Sequence, residues 1–160
     1  MIKSYHRQGV ATVVISFTVL SAVCAQDLKY HVEEAPEWTQ LFYRTDGWFG
    51  ADGIFSIGLD GDDSNGGDEK TLIIFSDSFI GKVTDGAPEP GYKMVNNTIA
   101  YFDGTEAAEE NLTIHVNRDD AGVPMSFFIP DNPNSKEGQH FWLGDGFINK
   151  EQNDRLYIFG

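Results

Sequence analysis

A Trp-Gly-Asp-Gly segment occurs twice in the chain, and this internal repeat constrains the fold more than any other feature of the sequence. The first copy is WFGADGIF at residues 48–55, and the second, one residue shorter, is WLGDGFI at residues 142–148. In both copies an aliphatic and aromatic run follows along the chain, LIIF at residues 72–75 and LYIF at residues 156–159. Such repetition of a Trp-turn-strand unit is typical of a β-propeller or another radial β-array.

Short strands dominate the rest of the pattern. The runs are rich in β-branched and aromatic residues and are separated by Gly, Asp and Asn. They lie at residues 53–59, 71–79, 94–102, 112–116, 125–129, 146–149 and 155–159. Helix is predicted only at residues 36–42 and briefly at 106–110, and neither is long enough to connect parallel strands. The sequence therefore predicts an all-β fold of antiparallel sheets.

About four strands lie between the two copies of the repeat, which is the content of one propeller blade. The second copy then starts a second blade. Because a closed ring needs at least four blades, we expect only the first blade and the start of the second here. The last run, residues 155–159, has no closing turn after it, so we expect a C-terminally truncated domain.

The N-terminus predicts export. Lys3 and Arg7 precede an apolar stretch at residues 10–20, and small residues precede a cleavage point after Ala25. A membrane anchor is the alternative, but the apolar stretch is shorter than the ~20 residues that a spanning helix needs. We therefore predict a signal peptide at residues 1–25, a lead-in segment at 26–43 and a partial propeller domain at 44–160. The mature protein is expected to be secreted, periplasmic or at the cell surface.

Charge and missing motifs exclude several classes of function. The chain has 11 Lys and Arg against 25 Asp and Glu, a net charge of -14, which argues against binding to nucleic acid or anionic membranes. The single cysteine, Cys24, leaves with the signal peptide, so the mature chain has no disulfide or thiolate site. The acidic loop at residues 60–69 departs from the EF-hand pattern. We predict no metal and no cofactor, and neutral ligands remain possible.

Asp52 and Asp145 occupy the same place in the two copies of the repeat. In a propeller the innermost strands surround a central channel, so equivalent aspartates of successive blades converge on one pocket and can act as acid and base. The preceding Trp48 and Trp142 suit a floor on which a sugar stacks. The alternative is structural, because Asp-Gly is a strong hairpin-turn dipeptide and the chain contains six such pairs.

Three further polar residues are candidates for substrate binding. Asp77 lies within an apolar run, where alternation puts it on a hydrophobic face or else marks a bulge. Asn96 stands beside Asn97 in another apolar run; an amide there can bind sugar hydroxyls or close a turn. Arg44 precedes the first copy and could steady a carboxylate or form a plain salt bridge. His140 could carry a proton, with a surface histidine as the alternative.

Four segments together resemble a known family: RTDGWFGADG at residues 44–53, FSDSFIG at 75–81, MVNNT at 94–98 and FWLGDG at 141–146. With them the chain resembles the N-terminal part of a secreted bacterial family known as domain of unknown function 5005. That family is similar to the five-bladed propellers of glycoside hydrolases. By position, the resemblance implies that Asp52 is the general base or nucleophile and that Asp145 is an orienting aspartate. It implies that the general acid, a third-blade Glu, lies beyond Gly160.

The resemblance implies a secreted five-bladed β-propeller glycoside hydrolase that acts on a polysaccharide. The runner-up is a non-catalytic carbohydrate-binding propeller, which would use the same aromatic residues without an acid and base. A purely structural extracellular module is the third alternative. In each case we expect no nucleic-acid partner and no membrane attachment after the signal peptide is cleaved.

Overall fold

A computed structural model describes residues 30–62, 70–136 and 138–160. The predicted signal peptide and most of the acidic loop lie outside these ranges. The chain divides into two compact units, Met1–Glu33 and Glu34–Gly160. Of the first unit only residues 30–33 are described; they are exposed, and His31 contacts Glu33 at 3.0 Å from Nε2 to Oε1. Within the described ranges, no helix has the length and hydropathy needed to cross a membrane.

The second unit consists of short strands with very little helix. Where the structure describes this unit, it has one five-residue α-helix, α1 (Pro36–Gln40), which begins with proline, a residue well suited to a first helical turn. Two 3₁₀ turns lie at Glu109–Asn111 and Lys150–Gln152. The strands are β1 (Asp46–Ala51), β2 (Phe55–Gly58), β3 (Lys70–Phe75), β4 (Ser78–Thr84), β5 (Ala87–Pro88), β6 (Lys93–Val95), β7 (Thr98–Asp103), β8 (Leu112–His115), β9 (Asn117–Arg118), β10 (Pro124–Met125), β11 (Gly146–Asn149) and β12 (Arg155–Ile158).

Every strand pairing in the described residues is antiparallel. One sheet has the order β2-β3-β7-β8, and a second has the order β1-β4-β5 with β6 also paired to β4. Two hairpins, β9 with β10 and β11 with β12, complete the set. These pairings confirm the predicted all-β, antiparallel fold class. The described residues form no closed ring of blades, so the propeller stays a prediction.

The two four-stranded sheets continue each other. The pairing of β3 with β7 in one sheet and of β4 with β6 in the other lies in a single register, with a gap between them. Phe75 of β3 pairs with Thr98 of β7, and Ser78 of β4 pairs with Val95 of β6. Two residues intervene on each strand, so the register continues across the gap. On the opposite edge of β3 and β4, Asp52 lies between β1 and β2, and its main chain bonds to Ser76 and Asp77 in the gap. The described residues between 46 and 115 therefore form a four-stranded antiparallel meander with a break across its middle.

This break corrects two predicted strands. Residues 71–79 and 94–102 were each expected to be continuous, but the first ends at Phe75 and the second does not begin its main pairing until Thr98. The strand expected at residues 125–129 is only the short β10, because the main-chain N–H groups of Phe127 and Phe128 donate to Asn97 instead of to a strand partner. The helix ends at Gln40 rather than residue 42, and β1 was not among the predicted strands.

Buried polar side chains close the break, and we call this set the polar junction: Ser76, Ser78, Asn97, Thr98 and Ser126. The amide of Asn97 is fully buried; its Nδ2 donates to the carbonyl of Phe128 at 3.0 Å and its Oδ1 accepts from the N–H of Phe128 at 2.6 Å. The hydroxyl of Ser78 lies 2.8 Å from both the carbonyl of Ser76 and the hydroxyl of Thr98. The Asn97 side chain thus behaves like an extra peptide unit that pairs the meander with the segment at Phe128.

Both faces of the meander are buried, because alternate residues of a strand point to opposite sides. One face contacts Leu41 and Trp48; it carries Ile73, Phe75, Ala100, Phe102 and Leu112. The other face carries Ile57, Leu72, Ile74 and Ile99, and Leu143 packs against it.

The second copy of the repeat lies on that second face. Leu156 and Ile158 of β12 pack against the same cluster. Contact is close at Gly146, where an added Cβ would lie 2.7 Å from Cδ1 of Ile57. A side chain at this position would therefore push β11 away from β2. The two copies of the repeat are in direct contact, with the hairpin of the second stacked on the sheet of the first.

Replacing Asn97 with alanine tests the polar junction. The substitution removes two hydrogen bonds between the fully buried Asn97 side chain and the half-buried main chain of Phe128, which costs about 2 to 4 kcal/mol. We expect the free energy of unfolding, measured in urea, to fall by that amount. Asn134→Ala is the matched control, since that side chain is exposed. An Asn97→Ala protein whose stability stays within about 0.5 kcal/mol of the wild type would contradict the role given to this amide.

Candidate functional site

Asp77 and Asn96 lie opposite each other at the break in the meander, and both side chains are half-buried. The amide Nδ2 of Asn96 donates to Oδ1 of Asp77 over 3.5 Å, a long and therefore weak bond. The main-chain N–H of Asn96 donates to the hydroxyl of Ser126 at 3.0 Å. The polar junction thus fixes the backbone of this pair, while the carboxylate and the amide keep most of their hydrogen-bonding capacity.

A cavity of about 240 Å³ opens on this pair, and we call it the first cavity. Its lining residues are Ser76, Asp77, Asn96, His140, Phe141 and Trp142. The segment 140–142, which leads into the second copy of the repeat, supplies the aromatic wall. The cavity therefore combines one carboxylate and one amide with two aromatic rings and an imidazole.

Trp142 is 81% exposed, which is unusual for a residue of its size and apolar character. Its neighbours are nevertheless firmly held. Leu143 is buried in the second core cluster, and the N–H of Gly144 donates to the carbonyl of Phe159 at 2.7 Å. The ring of His140 lies beside the indole, with 6.4 Å between the ring centroids. An exposed ring on an anchored backbone is typical of a ligand-binding platform.

Asp52 is exposed and adjoins the first cavity through its main chain. Its N–H donates to the carbonyl of Asp77 at 3.2 Å, and its carbonyl accepts from the N–H of Ser76 at 2.9 Å. Gly53 has a φ of +55°, and a Cβ at this position would collide with the side chain of Ser76. Only glycine fits both the conformation and the space. The Asp-Gly turn thus rests directly on a residue that lines the cavity.

Asp145 is also exposed, but its main chain bonds to the facing strand differently from that of Asp52. Its carbonyl accepts from the N–H of Phe159 at 2.9 Å, one residue before the position that corresponds to Ser76, and the N–H that donates to this strand is that of Gly144, whereas Asp52 donates its own. Oδ1 of Asp145 accepts from the N–H of Gly146 at 2.8 Å. The two aspartates therefore share a place in the sequence repeat but not a hydrogen-bond pattern, and neither lines the first cavity.

The two tryptophans of the repeat have different surroundings, although they were expected to floor one pocket together. Trp48 is 5% exposed, and its ring centroid lies 4.9 Å from that of Phe75 and 6.3 Å from that of Phe42. Among the described residues, its buried Nε1 has no hydrogen-bond partner, so its contribution is apolar packing. The structure places Trp48 in the core and Trp142 on the surface of the cavity.

Arg44 lies outside the first cavity. Its Nε donates to the carbonyl of Leu41 at 3.2 Å, close to the end of α1, and it lines a separate hollow with Glu37 and Glu109. Of the eight candidates from the sequence, the structure brings Asp77, Asn96, His140 and Trp142 into one cavity and joins Asp52 to it through the main chain. Ser76 and Phe141 were missed. The adjacent aromatics Phe141 and Trp142 were the available signal.

Comparisons with known proteins agree with the resemblance seen in the sequence. The family model described as "Domain of unknown function (DUF5005)" matches residues 36–159. No curated protein matches the chain. Among solved structures, the chain is similar to the crystal structure of "a putative hydrolase from Bacteroides ovatus ATCC 8483", with 24% sequence identity and a TM-score of 0.50. The match covers 71% of this chain and 30% of that one, and it is a likeness of fold.

Substitution of the two tryptophans tests whether Trp48 lies in the core and Trp142 on the surface. Trp48→Ala removes a large core side chain and should lower the free energy of unfolding by about 3 to 5 kcal/mol. Trp142→Ala should change it by less than about 0.5 kcal/mol, because the ring is exposed. Urea unfolding measures both. Equal destabilisation by the two substitutions would show that the assignment of core and surface is wrong.

Proposed function

The chain belongs to the DUF5005 family, and on that premise we propose that its first cavity binds a sugar unit of a neutral polysaccharide. The observation that carries the proposal is the combination of the exposed Trp142 with the Asp77 and Asn96 pair in one cavity. Each of these groups matches a different part of a sugar ring.

The indole of Trp142 and the pair of Asp77 and Asn96 would contact different parts of the sugar. A pyranose has an apolar face of C–H groups that stacks on an aromatic ring, and a rim of hydroxyls that donate and accept hydrogen bonds. The carboxylate of Asp77 can accept from hydroxyls, and the amide of Asn96 can both donate and accept. The net charge of -14 disfavours acidic polysaccharides, so a neutral glycan is the best match.

We propose further that this cavity belongs to a secreted glycoside hydrolase of the five-bladed propeller type. Two observations support this proposal: the four-stranded antiparallel meander has the strand number of one blade, and the hairpin of β11 and β12 stacks on its face, where a second blade would begin. The likeness to the Bacteroides protein supports the fold and leaves the activity as a proposal. The signal peptide proposed at residues 1–25 would export the protein. No metal, cofactor, nucleic acid or membrane is needed for this chemistry.

Hydrolysis of a glycosidic bond uses two carboxyl groups, one that protonates the leaving oxygen and one that activates water or attacks the sugar. Asp52 is proposed as the base or nucleophile, because its main chain is joined to Ser76 and Asp77 at the cavity. Asp145 is proposed as an orienting carboxylate at the equivalent position of the second copy. The general acid would come from another part of the full protein.

A specific observation favours the second candidate, a carbohydrate-binding protein without catalysis. Among the described residues, Asp77 is the carboxylate that lines the first cavity, while Asp52 and Asp145 lie outside it. One carboxylate suffices for binding, whereas hydrolysis needs a second within reach of the same bond.

Binding is tested with Trp142→Ala and Asp77→Asn. Each removes one of the two kinds of contact, and each should weaken binding to a neutral glycan at least about tenfold, which is the effect of losing about 1.4 kcal/mol. Binding is measured on an array of neutral glycans and then by calorimetry. Tyr43→Ala is the matched control, because that ring is 71% exposed and does not line the first cavity. Unchanged binding in both site variants would overturn the proposed cavity.

Catalysis is tested on the native protein at its full length, with Asp52→Asn as the variant. We expect the wild type to release reducing ends from a neutral polysaccharide and the variant to lose at least about a hundredfold in rate, in the range typical of a missing general base. If the wild type binds a glycan but releases nothing, the binding protein without catalysis is the correct function.

A further inference from the structure

We propose that the first cavity is one end of a longer cleft that binds a sugar chain across at least two units. The second unit would sit in a neighbouring cavity lined by residues of 130–135 and 138–141. This inference rests on the proposed function and specifies its substrate class as an oligosaccharide or polysaccharide rather than a single sugar.

The neighbouring cavity, which we call the second cavity, has a volume of about 430 Å³. His140 and Phe141 line both cavities, so the two share a wall and lie side by side. Phe141 is 38% exposed, which leaves part of its ring available where a chain would pass from one cavity to the other. A chain of linked sugars is the kind of ligand that can occupy both cavities at once.

Amide side chains dominate the polar lining of the second cavity. Asn132, Asn134 and Gln139 all contribute to it, together with the hydroxyl residue Ser135. Amides are well suited to sugar hydroxyls, since each offers both a donor and an acceptor group. The cavity carries no carboxylate or ammonium group among its described lining residues, which fits an uncharged ligand.

The internal bonds of the loop determine which groups remain for a ligand. Oδ1 of Asn132 accepts from the N–H of Asn134 at 3.0 Å, and Oε1 of Gln139 accepts from the N–H of Lys136 at 2.7 Å. These bonds use amide oxygens and leave the amide N–H donors. The side-chain amide of Asn134 has no partner among the described residues. In the second cavity Asn132 and Gln139 therefore offer mainly donors and Asn134 offers both a donor and an acceptor, while Asp77 adds an acceptor in the first cavity.

The volumes agree with a ligand of more than one sugar. Pockets that enclose a ligand of ordinary size hold about 300 to 1,000 Å³. At about 240 Å³ the first cavity falls below this range, and the two cavities together fall within it. A single sugar would use only one set of contacts. A longer chain would use both sets while losing its overall freedom of motion once, so its affinity should be higher.

The test measures affinity against chain length with the whole chain, using calorimetry. The probes are neutral cello-, manno- and xylo-oligosaccharides of one to six units. In the series that binds, we expect affinity to rise at least about tenfold from one unit to four. Asn134→Ala should lower the affinity for four units at least about threefold and leave the affinity for one unit unchanged. Trp142→Ala should weaken both, and Gln40→Ala, an amide that lines neither cavity, should weaken neither.

The outcomes separate this inference from the proposed function. Equal affinity for one unit and for six would overturn the longer cleft and leave sugar binding in the first cavity intact. A gain with length that Asn134→Ala does not reduce would overturn the second cavity as the place of the added unit. Absence of binding in every series would overturn the proposed function and the inference together.

Discussion

The buried amide of Asn97 forms two hydrogen bonds with the main chain of Phe128, across a break in what is otherwise a continuous pair of strands. At this break the strands cannot satisfy each other, and buried N–H and carbonyl groups must find other partners. The polar junction supplies them through Asn97, Ser78 and Thr98. Without these side chains the buried backbone would be left unpaired, and the meander could not be interrupted at this point.

The candidate site exists because of that interruption. In an unbroken ladder, Asp77 and Asn96 would be ordinary cross-strand neighbours. The break instead leaves their main chains bonded to Asp52 and Ser126 and places their half-buried side chains at an opening. The second copy of the repeat stacks on the face of the first and brings Trp142 to that opening. The break in the meander therefore determines both the strand arrangement and the position of the site. Its hydrogen bonds hold the backbone around the polar groups in place without a ligand.

The sequence predicted the antiparallel all-β class and most strands, while the common role of Asp52 and Asp145 stays a prediction. It also drew attention to Asp77 and Asn96, because polar residues within apolar runs are costly unless they have a use. It did not predict the break, since the partner segment at Ser126 and Phe128 is distant in sequence and carries no period of its own. Nor could two similar Trp-Gly motifs reveal that β1 places Trp48 in the core, whereas Trp142 precedes its strand and remains exposed.

Sugar binding at the break is the central claim, and a crystal structure of the protein with a neutral tetrasaccharide from the series that binds tests it most directly. The account predicts one sugar ring stacked on Trp142 with hydroxyls bonded to Asp77 and Asn96, and a second ring beyond Phe141. Another aromatic surface is the strip of Phe147, Tyr157 and Phe159 on the hairpin of β11 and β12. A tetrasaccharide found on that strip, with the first cavity empty, would contradict the account.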